Sequence, residues 1–281
     1  MMNPLRLMLT VLVLFFAVPA KAHEFWMQAQ PANPPAKSAT ALTLHVGEYF
    51  EGDQLPFTSA YIATLRQYAC GEQLDLMSQV PAGVAPGRFK LQLGCAGTHL
   101  LALDSHPSLI TLPADKFSAY LHEEGLDDII KRRETMGDAA KPGRERFRRN
   151  IKTLLAINAK NKASATMQTA QRLQIVPAPD ALVQAPEAAM RFKVLFEGKP
   201  LANRLVKAWY KRAGQTLLIR TRSDAGGQVV FNFPYAGPWM LSVVHMLAAT
   251  ETAEADWDSY WGNLTFDLPG PGPGSRAQKS D

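Results

Sequence analysis

The chemistry suggested by this chain begins at His23, because of the residues that precede it. Residues 1–22 have a basic start, an apolar stretch over residues 7–18 and a small-x-small end at residues 20–22, which is typical of a cleavable secretory signal peptide. Cleavage after Ala22 would give His23 a free α-amine beside its imidazole. The reference pKa values of these groups are about 7.7–8.0 and 6.5, so both nitrogens could bind one metal ion in their neutral forms.

Other candidate metal ligands lie elsewhere in the chain. His245 occupies a predicted strand, and a loop rich in acidic residues follows it. Copper(II) prefers imidazole and amine nitrogens in a tetragonal arrangement, so His23 and His245 together predict a site similar to histidine-brace copper sites, with nickel or cobalt as less favoured ions. Asp256 or Asp258 could add an axial oxygen or orient a ligand, and His45 is a second-choice ligand. The alternative for His245 is a core histidine on a strand.

The two cysteines and the motifs of common enzymes narrow the remaining chemistry. Cys70 and Cys95 are an even pair near the ends of predicted strands, which in an exported chain predicts one disulfide, with two buried thiols as the alternative. The sequence has no Gly-x-Ser-x-Gly elbow, phosphate loop or His-Glu-x-x-His helix. We therefore predict no catalytic residues and no enzymatic activity.

Composition places the chain among exported globular proteins. Its 281 residues are 47% hydrophobic and 20% charged, and the net charge is only +5. No basic stripe is interleaved with aromatic residues, so nucleic acid is not an expected partner. No second apolar segment is long enough to cross a membrane. We expect a periplasmic protein without a membrane span after cleavage.

The elements that must position these side chains are mainly strands. Alternating or apolar runs bounded by Gly and Pro predict strands over residues 24–30, 41–47, 61–68, 72–77, 88–93 and 99–104, and again from residue 173 onward to a final strand at 263–268. Residues 53–59 are predicted as a loop. Helical spacing predicts helices over 115–136 and 144–155. The predicted fold is mainly β, with two β-sandwich domains over 23–112 and 171–268, a helical insertion and connector over 113–170 and a disordered tail over 269–281.

The second half resembles transthyretin-like and carboxypeptidase-regulatory-like sandwiches. The resemblance rests on Gly198-Lys199-Pro200-Leu201, on the turn from Asp224 to Gly227, and on Trp239 and Leu241 after Gly237. It implies an Ig-like sandwich fold and carries no information about function.

The whole mature chain also resembles a bacterial exported family of unknown function, formerly described as a NikM-type nickel or cobalt transport component. The matching segments are His23-Glu24-Phe25-Trp26, Val46-Gly47-Glu48, the run from Lys116 to Leu126, Gly143-Arg144-Glu145-Arg146-Phe147, Val244-His245-Met246 and the run from Asp256 to Trp261. The resemblance implies export and a transition metal.

Two hypotheses follow from these observations. The first is a non-catalytic periplasmic protein that binds copper(II), nickel or cobalt for uptake, storage or delivery, with an envelope transporter as a possible partner. The second is an envelope adaptor, or a sandwich module for carbohydrate or protein, that binds no metal. It would use the run from Lys116 to Leu126 or the aromatic group Trp257, Tyr260 and Trp261, whose alternative role is to seal the core.

Overall fold

The computed structural model describes residues 23–83, 87–157, 163–179, 181–182, 188–212 and 214–270. The predicted signal peptide and residues 271–281 of the predicted tail lie outside these ranges. The described residues form a mainly β structure, as predicted. In chain order the strands are β1 (Glu24–Gln30), β2 (Ala39–Glu48), β3 (Glu51–Leu55), β4 (Ile62–Ala69), β5 (Glu72–Asp75), β6 (Phe89–Gln92), β7 (His99–Ser105), β8 (Ser108–Leu112), β9 (Gly143–Leu155), β10 (Leu173–Pro177), β11 (Ala189–Phe196), β12 (Lys199–Pro200), β13 (Leu205–Arg212), β14 (Gln215–Arg222), β15 (Gln228–Asn232), β16 (Gly237–Ala248) and β17 (Trp257–Leu268). The helices are α1 (Ala114–Glu123) and α2 (Asp127–Thr135).

A central sheet of nine strands runs through both halves of the chain. Its order is β14-β13-β16-β17-β9-β7-β4-β5, and β8 pairs with the first part of β9. All of its pairings are antiparallel except that of β17 with β9, which is parallel. This parallel pair joins strands of the N-terminal and C-terminal parts, so the two predicted sandwiches share one sheet.

Two four-stranded sheets cover opposite faces of the central sheet. The N-terminal small sheet contains β1, β2, β3 and β6, and the C-terminal small sheet contains β10, β11, β12 and β15. Strand β7 shows the two faces, because alternate side chains of a strand point in opposite directions. Leu101 and Leu103 pack with the N-terminal small sheet, whereas Leu100 and Ala102 pack with the C-terminal small sheet. The result is a three-layer β-sandwich.

The two helices cover the remainder of the face that carries the N-terminal small sheet. Phe117 and Leu121 of α1 are buried against Trp257 and Trp261 of β17. The predicted helix over 115–136 is confirmed, with a break at Gly125, whose φ of +64° lies in the left-handed region that favours glycine.

The predicted helix over 144–155 is wrong, because these residues form β9 in the middle of the central sheet. The basic side chains Arg144, Arg146 and Arg148 recur at every second position, which is the period of a strand. Their acidic partners lie on and beside β17, about a hundred residues later in the chain, so local spacing did not reveal them. The bounds of two strands also differ from the prediction. Strand β3 extends into the predicted loop at 53–59, and β17 begins at Trp257 rather than at residue 263.

The predicted disulfide between Cys70 and Cys95 is confirmed. Cys70 directly follows β4, at the start of the turn to β5, and Cys95 lies between β6 and β7. In the chain-entropy description, a loop of 25 residues closed in this way stabilises the fold by about 3 kcal/mol. The bond connects the N-terminal small sheet to the far edge of the central sheet.

Candidate functional site

Strand β1 lies across β9 and β17 without pairing with them, and it holds the predicted mature N-terminus in place. One edge of β1 pairs with β2 over its whole length. At the other edge, Asn263 Nδ2 donates a hydrogen bond to the Phe25 carbonyl. The hydroxyl groups of Thr153 and Thr265 lie 3.0 and 2.8 Å from the Met27 carbonyl oxygen. Because buried carbonyls need partners, these side chains fix β1 above the two central strands.

The side chains of β1 enter two different parts of the core. Phe25 and Met27 pack with residues of β4, β7 and β9. Trp26 faces the other way and packs with Trp209 of β13 and Met240 of β16. Strand β1 therefore packs against both halves of the central sheet from one face, and its residues cannot shift in register by one position without reversing the directions of their side chains.

Glu24 belongs to a charged cluster that is closed to solvent. Lys207 Nζ lies 2.7 Å from a carboxylate oxygen of Glu124 and 3.4 Å from one of Glu24, and the three side chains are 7% exposed or less. Ser242 Oγ donates to Glu24 at 2.8 Å and accepts from Trp209 Nε1 at 3.0 Å. Burial raises the pKa of Glu124, whereas the two carboxylates raise the pKa of Lys207 in spite of its burial. The cluster ties β1 to β13 and to the end of α1.

Arg149 of β9 holds the main chain at His23. Its Nη1 donates to the His23 carbonyl oxygen at 2.9 Å. The guanidinium carbon lies 5.4, 5.3 and 5.2 Å from the ring centroids of Phe25, Phe147 and Trp261. Burial lowers the pKa of Arg149 to about 10, and the carboxylates of Glu24 and Glu145 oppose this shift. The guanidinium therefore remains charged at neutral pH and orients the residue that precedes β1.

His23 itself is exposed, although the next four residues are buried. Residues two apart in a strand point to the same side, so extending β1 by one residue places His23 on the side of Phe25 rather than on the side of Glu24. The structure thus presents His23 at the surface, next to a segment that is fixed in the core.

His245 does not share this location. It follows Val243 by two residues on β16 and lies on the face covered by the C-terminal small sheet, where its ring centroid is 4.4 Å from that of Phe196. Strand β1 lies on the opposite face, so His23 and His245 are separated by the central sheet. Burial and the nearby Arg204 lower the pKa of His245 to about 4. Its Nδ1 is buried without a hydrogen-bond partner in the described part of the chain.

Asp256 and Asp258 are engaged by arginine side chains of β9. Arg144 contacts both carboxylate oxygens of Asp256, at 3.0 and 2.5 Å. Arg146 contacts both oxygens of Asp258, at 2.6 and 2.8 Å, and Arg148 lies 3.2 Å away. The arginines lower the pKa of both carboxyls, although burial opposes this shift. These carboxylates neutralise the basic face of β9.

His45 is the remaining predicted ligand, and it lies beside Trp26 on β2. Its Nε2 is 2.9 Å from Thr43 Oγ1, its ring stacks on that of Trp26 at 5.5 Å, and burial lowers its pKa. Over the described residues, no three His, Cys, Asp or Glu side chains are grouped to hold a metal ion. The five predicted ligands do not converge, and a metal site at His23 stays a prediction.

Three groups that anchor β1 were not among the residues predicted from the sequence: Lys207, Glu124 and Arg149. A signal for Lys207 exists, because it is a charged residue with apolar residues on both sides in β13, whereas Lys211 and Arg212 lie at the end of the strand. Arg149 gives no such signal, since it belongs to a run of basic residues whose other members are ion-paired or solvent-exposed.

A basic cleft of about 800 Å³ lies between α2 and the segment that follows β16. Its charged side chains are Arg132, Arg133, Lys141, Arg144, Asp138 and Asp256. The four cations exceed the two anions. Arg132 lies 5.7 Å from the ring centroid of Trp257 and extends the positive charge towards the floor of the cleft.

Fold and site together define a mainly β protein of three layers, in which a buried charge cluster anchors the strand next to the predicted mature N-terminus. A family model described as "Domain of unknown function (DUF4198)" matches residues 20–247, so the chain belongs to this family. No curated protein matches the chain. In the described ranges, neither helix is long and apolar enough to cross a membrane.

Proposed function

We propose that this protein is exported, that its mature form begins at His23, and that it binds one copper(II) ion through the α-amine and imidazole of that residue. Nickel(II) and cobalt(II) bind more weakly at the same nitrogens, in keeping with the order of divalent affinities. The protein acts as a carrier in the periplasm, for uptake, storage or delivery, and not as an enzyme.

The observation that supports this function best is the contrast between His23 and its neighbours. His23 is exposed, while Glu24, Phe25, Trp26 and Met27 are all buried. A terminal chelate usually belongs to a mobile chain end, and binding then costs conformational entropy. Here the anchored strand and the bond from Arg149 hold the backbone of the chelating residue before the ion arrives.

Two further observations support export and a transition metal. A disulfide is typical of oxidising compartments such as the periplasm, and Cys70 and Cys95 form one. The resemblance to NikM-type components favours a late first-row divalent ion. Of the ligands predicted from the sequence, the proposal keeps only His23. His245 is separated from it by the central sheet, and Asp256 and Asp258 are bound by arginine side chains.

The test is native mass spectrometry of protein exported to the periplasm and purified without chelator or tag. The expected spectrum shows a chain that begins at His23 and carries one copper ion after titration. His23→Ala removes the ion. A variant with one serine inserted before His23 also loses it, because the free amine then belongs to another residue. His122→Ala, at an exposed histidine on α1, keeps it as the matched control. A different starting residue, or no metal after titration, contradicts the proposal.

The basic cleft favours a second candidate function, namely an adaptor for an acidic segment of another envelope protein. Its excess of cations would attract carboxylates and would do so less at high salt. A glutamate-rich peptide added to labelled protein should shift the amide resonances of α2 and of the segment after β16. Arg132→Ala should weaken this binding, whereas Arg220→Ala on β14 should not. Shifts scattered over the whole surface would exclude the cleft.

A further inference from the structure

A small cavity of about 150 Å³ lies beside β1, and Phe25, Arg149 and His106 are among the residues that line it. Arg149 also binds the His23 carbonyl, which brings the main chain of His23 close to the cavity. The alternation of side chains along β1 puts residue 23 on the same side of the strand as Phe25. His106 is the histidine among the residues that line this cavity.

The geometry of His106 is suited to a metal ligand. Its Nε2 lies 3.2 Å from the Ser59 carbonyl oxygen. A carbonyl only accepts hydrogen bonds, so this nitrogen carries the proton and Nδ1 keeps its lone pair. A ring nitrogen that donates to a backbone carbonyl, which fixes the tautomer and the ring orientation, is the arrangement found beside most metal-bound histidines.

The main chain at His106 is also held in place. Its amide nitrogen donates to the Tyr61 carbonyl at 3.1 Å, and its carbonyl oxygen accepts from Ser105 Oγ at 2.8 Å. The residue is nevertheless exposed, and its Nδ1 has no hydrogen-bond partner within the described ranges. An available lone pair on an oriented ring therefore lies at the rim of the cavity.

The other histidines near the core do not combine an oriented ring, an available nitrogen lone pair and a position at this cavity. His45 lies on the Trp26 side of the N-terminal small sheet. His99 uses both ring nitrogens, since Nδ1 is 2.7 Å from Gln67 Nε2 and Nε2 is 3.1 Å from the Cys95 carbonyl oxygen. His245 lies behind the central sheet.

We propose that His106 supplies the second imidazole of the metal site, through Nδ1, and that the site contains three nitrogens: the α-amine and imidazole of His23 and the imidazole of His106. This inference rests on the proposed function. It needs only two histidine side chains, because the third donor is the main-chain amine. The ligand is copper(II), which takes three nitrogens in one plane and leaves a fourth position for water or for a partner's ligand.

The charges around the cavity do not exclude a cation. Arg149 is positive, but its charge is balanced in part by the carboxylates of Glu24 and Glu145, which interact with it. Its role in the site is positional. By binding the His23 carbonyl, the guanidinium keeps that oxygen away from the metal and leaves the amine and the ring as the donors of residue 23.

The experiment is a copper(II) titration of mature protein, combined with electron spin-echo envelope modulation of the one-to-one complex. The wild-type complex should show modulation from two imidazole rings. His106→Ala should leave one ring and weaken copper binding at least about tenfold, as loss of even an outer hydrogen-bond partner costs 10–100-fold. His23→Ala should abolish tight binding. His122→Ala should match the wild type in affinity and spectrum.

The possible outcomes separate this inference from the proposed function. If His106→Ala keeps the wild-type affinity and both imidazole signals while His23→Ala loses the ion, the terminal chelate stands and the inference about His106 is wrong. If His23→Ala also keeps the ion, both are wrong. Because His106 is exposed, unfolding of the variant is not expected, and an unchanged circular dichroism spectrum and melting temperature would verify this.

Discussion

Two lysine side chains are enclosed in the core, one on each face of the central sheet, and their surroundings shift their pKa values in opposite directions. Lys207 is 2% exposed and lies between Glu24 and Glu124, which raise its pKa. Lys152 is 1% exposed, and its Nζ bonds at 2.7 Å to the neutral amide oxygen of Gln174. Burial lowers the pKa of Lys152 to about 7.

The difference teaches that burial alone does not decide the charge of a group in this protein. Beside two carboxylates, an ammonium group is held charged, and the ion pairs specify the position of β1. Beside an amide, the same group loses its proton near neutral pH, because desolvation of the charge is not compensated. The first lysine belongs to the anchor of the candidate site, and the second does not.

The largest expected effect is that of Lys207→Met. The substitution removes the cation that lies between Glu24 and Glu124 in the core, and breaking a buried pair in this way costs about 3–5 kcal/mol. Urea unfolding at pH 7 measures the loss. The triple variant Lys207→Met, Glu24→Gln and Glu124→Gln is the control, and it should recover part of the stability. A single variant as stable as the wild type would show that the cluster does not anchor β1.

Lys152→Met should act in the opposite direction. The unfolded chain binds a proton at Lys152 below a pKa of about 10.5, but the folded protein does so only below about 7. The folded wild type is therefore disfavoured progressively as the pH falls from 10.5 to 7. The free energy of unfolding of the variant should exceed that of the wild type by an amount that grows as the pH falls from 10.5 to 7. The increase is at most about 4–5 kcal/mol, at 1.36 kcal/mol per pKa unit. A gain independent of pH would show that Lys152 keeps its charge.

A third prediction concerns His245, which also lies among charges but has no partner for Nδ1. Its pKa falls from 6.5 to about 4 on folding, so its contribution to stability is present above pH 6.5 and is lost as the pH falls towards 4. The loss should reach about 3 kcal/mol. The charged groups that face it are Arg204, Arg172, Asp128 and Glu197. Equilibrium unfolding between pH 4 and 7 measures the free energy of unfolding as a function of pH. This free energy should depend less on pH in His245→Leu than in His122→Leu. An equal dependence would contradict the lowered pKa of His245.

The smallest effect is expected at the solvent-exposed ion pair between Arg144 and Asp256, whose side chains are 45% and 41% exposed. Arg144→Ala should lower stability only slightly, and less at high salt, because solvent and salt screen an exposed ion pair. Arg146→Ala should cost more, because Arg146 and Asp258 are only 16% and 10% exposed. Thermal unfolding at low and high salt measures both. A larger cost at Arg144 would mean that exposure does not rank these pairs.

Much of the fold could be predicted from local patterns, because most strands alternate between buried and exposed side chains. The predicted strand over residues 24–30 coincides with β1, and the disulfide was predicted from an even pair of cysteines near the ends of predicted strands. Strand β9 could not be predicted in this way. Its polar residues 144–150 are paired or packed by side chains of β17 and α1. The alternation of Arg144, Arg146 and Arg148 is therefore not an alternation of apolar and polar residues, and it did not mark a strand without the partners on β17.

The candidate site also has features that follow from local sequence and features that depend on tertiary contacts. His23 is proposed from the sequence alone, because the small-x-small motif before it is local, and the preference of copper for nitrogen ligands follows from residue types in the same way. The convergence of ligands could not. His245, Asp256 and Asp258 have suitable chemistry, but the central sheet and three arginines keep them from His23. His106 resembles an ordinary turn histidine in sequence, and only the cavity beside Phe25 and Arg149 makes it a candidate.

The sequence by itself determined the mainly β class, a helical segment over 115–136 and the disulfide, since each depends on residue types within a short window. The cleavage next to His23 depends on a local motif in the same way and stays a prediction. The tertiary structure alone decided that the two sandwiches share one sheet through β9 and β17, that Lys207 is enclosed between two carboxylates, and that His106 lines the cavity beside Phe25 and Arg149. These depend on contacts between residues far apart in the chain, where burial and the partner available set both the charge of a side chain and the direction in which it points.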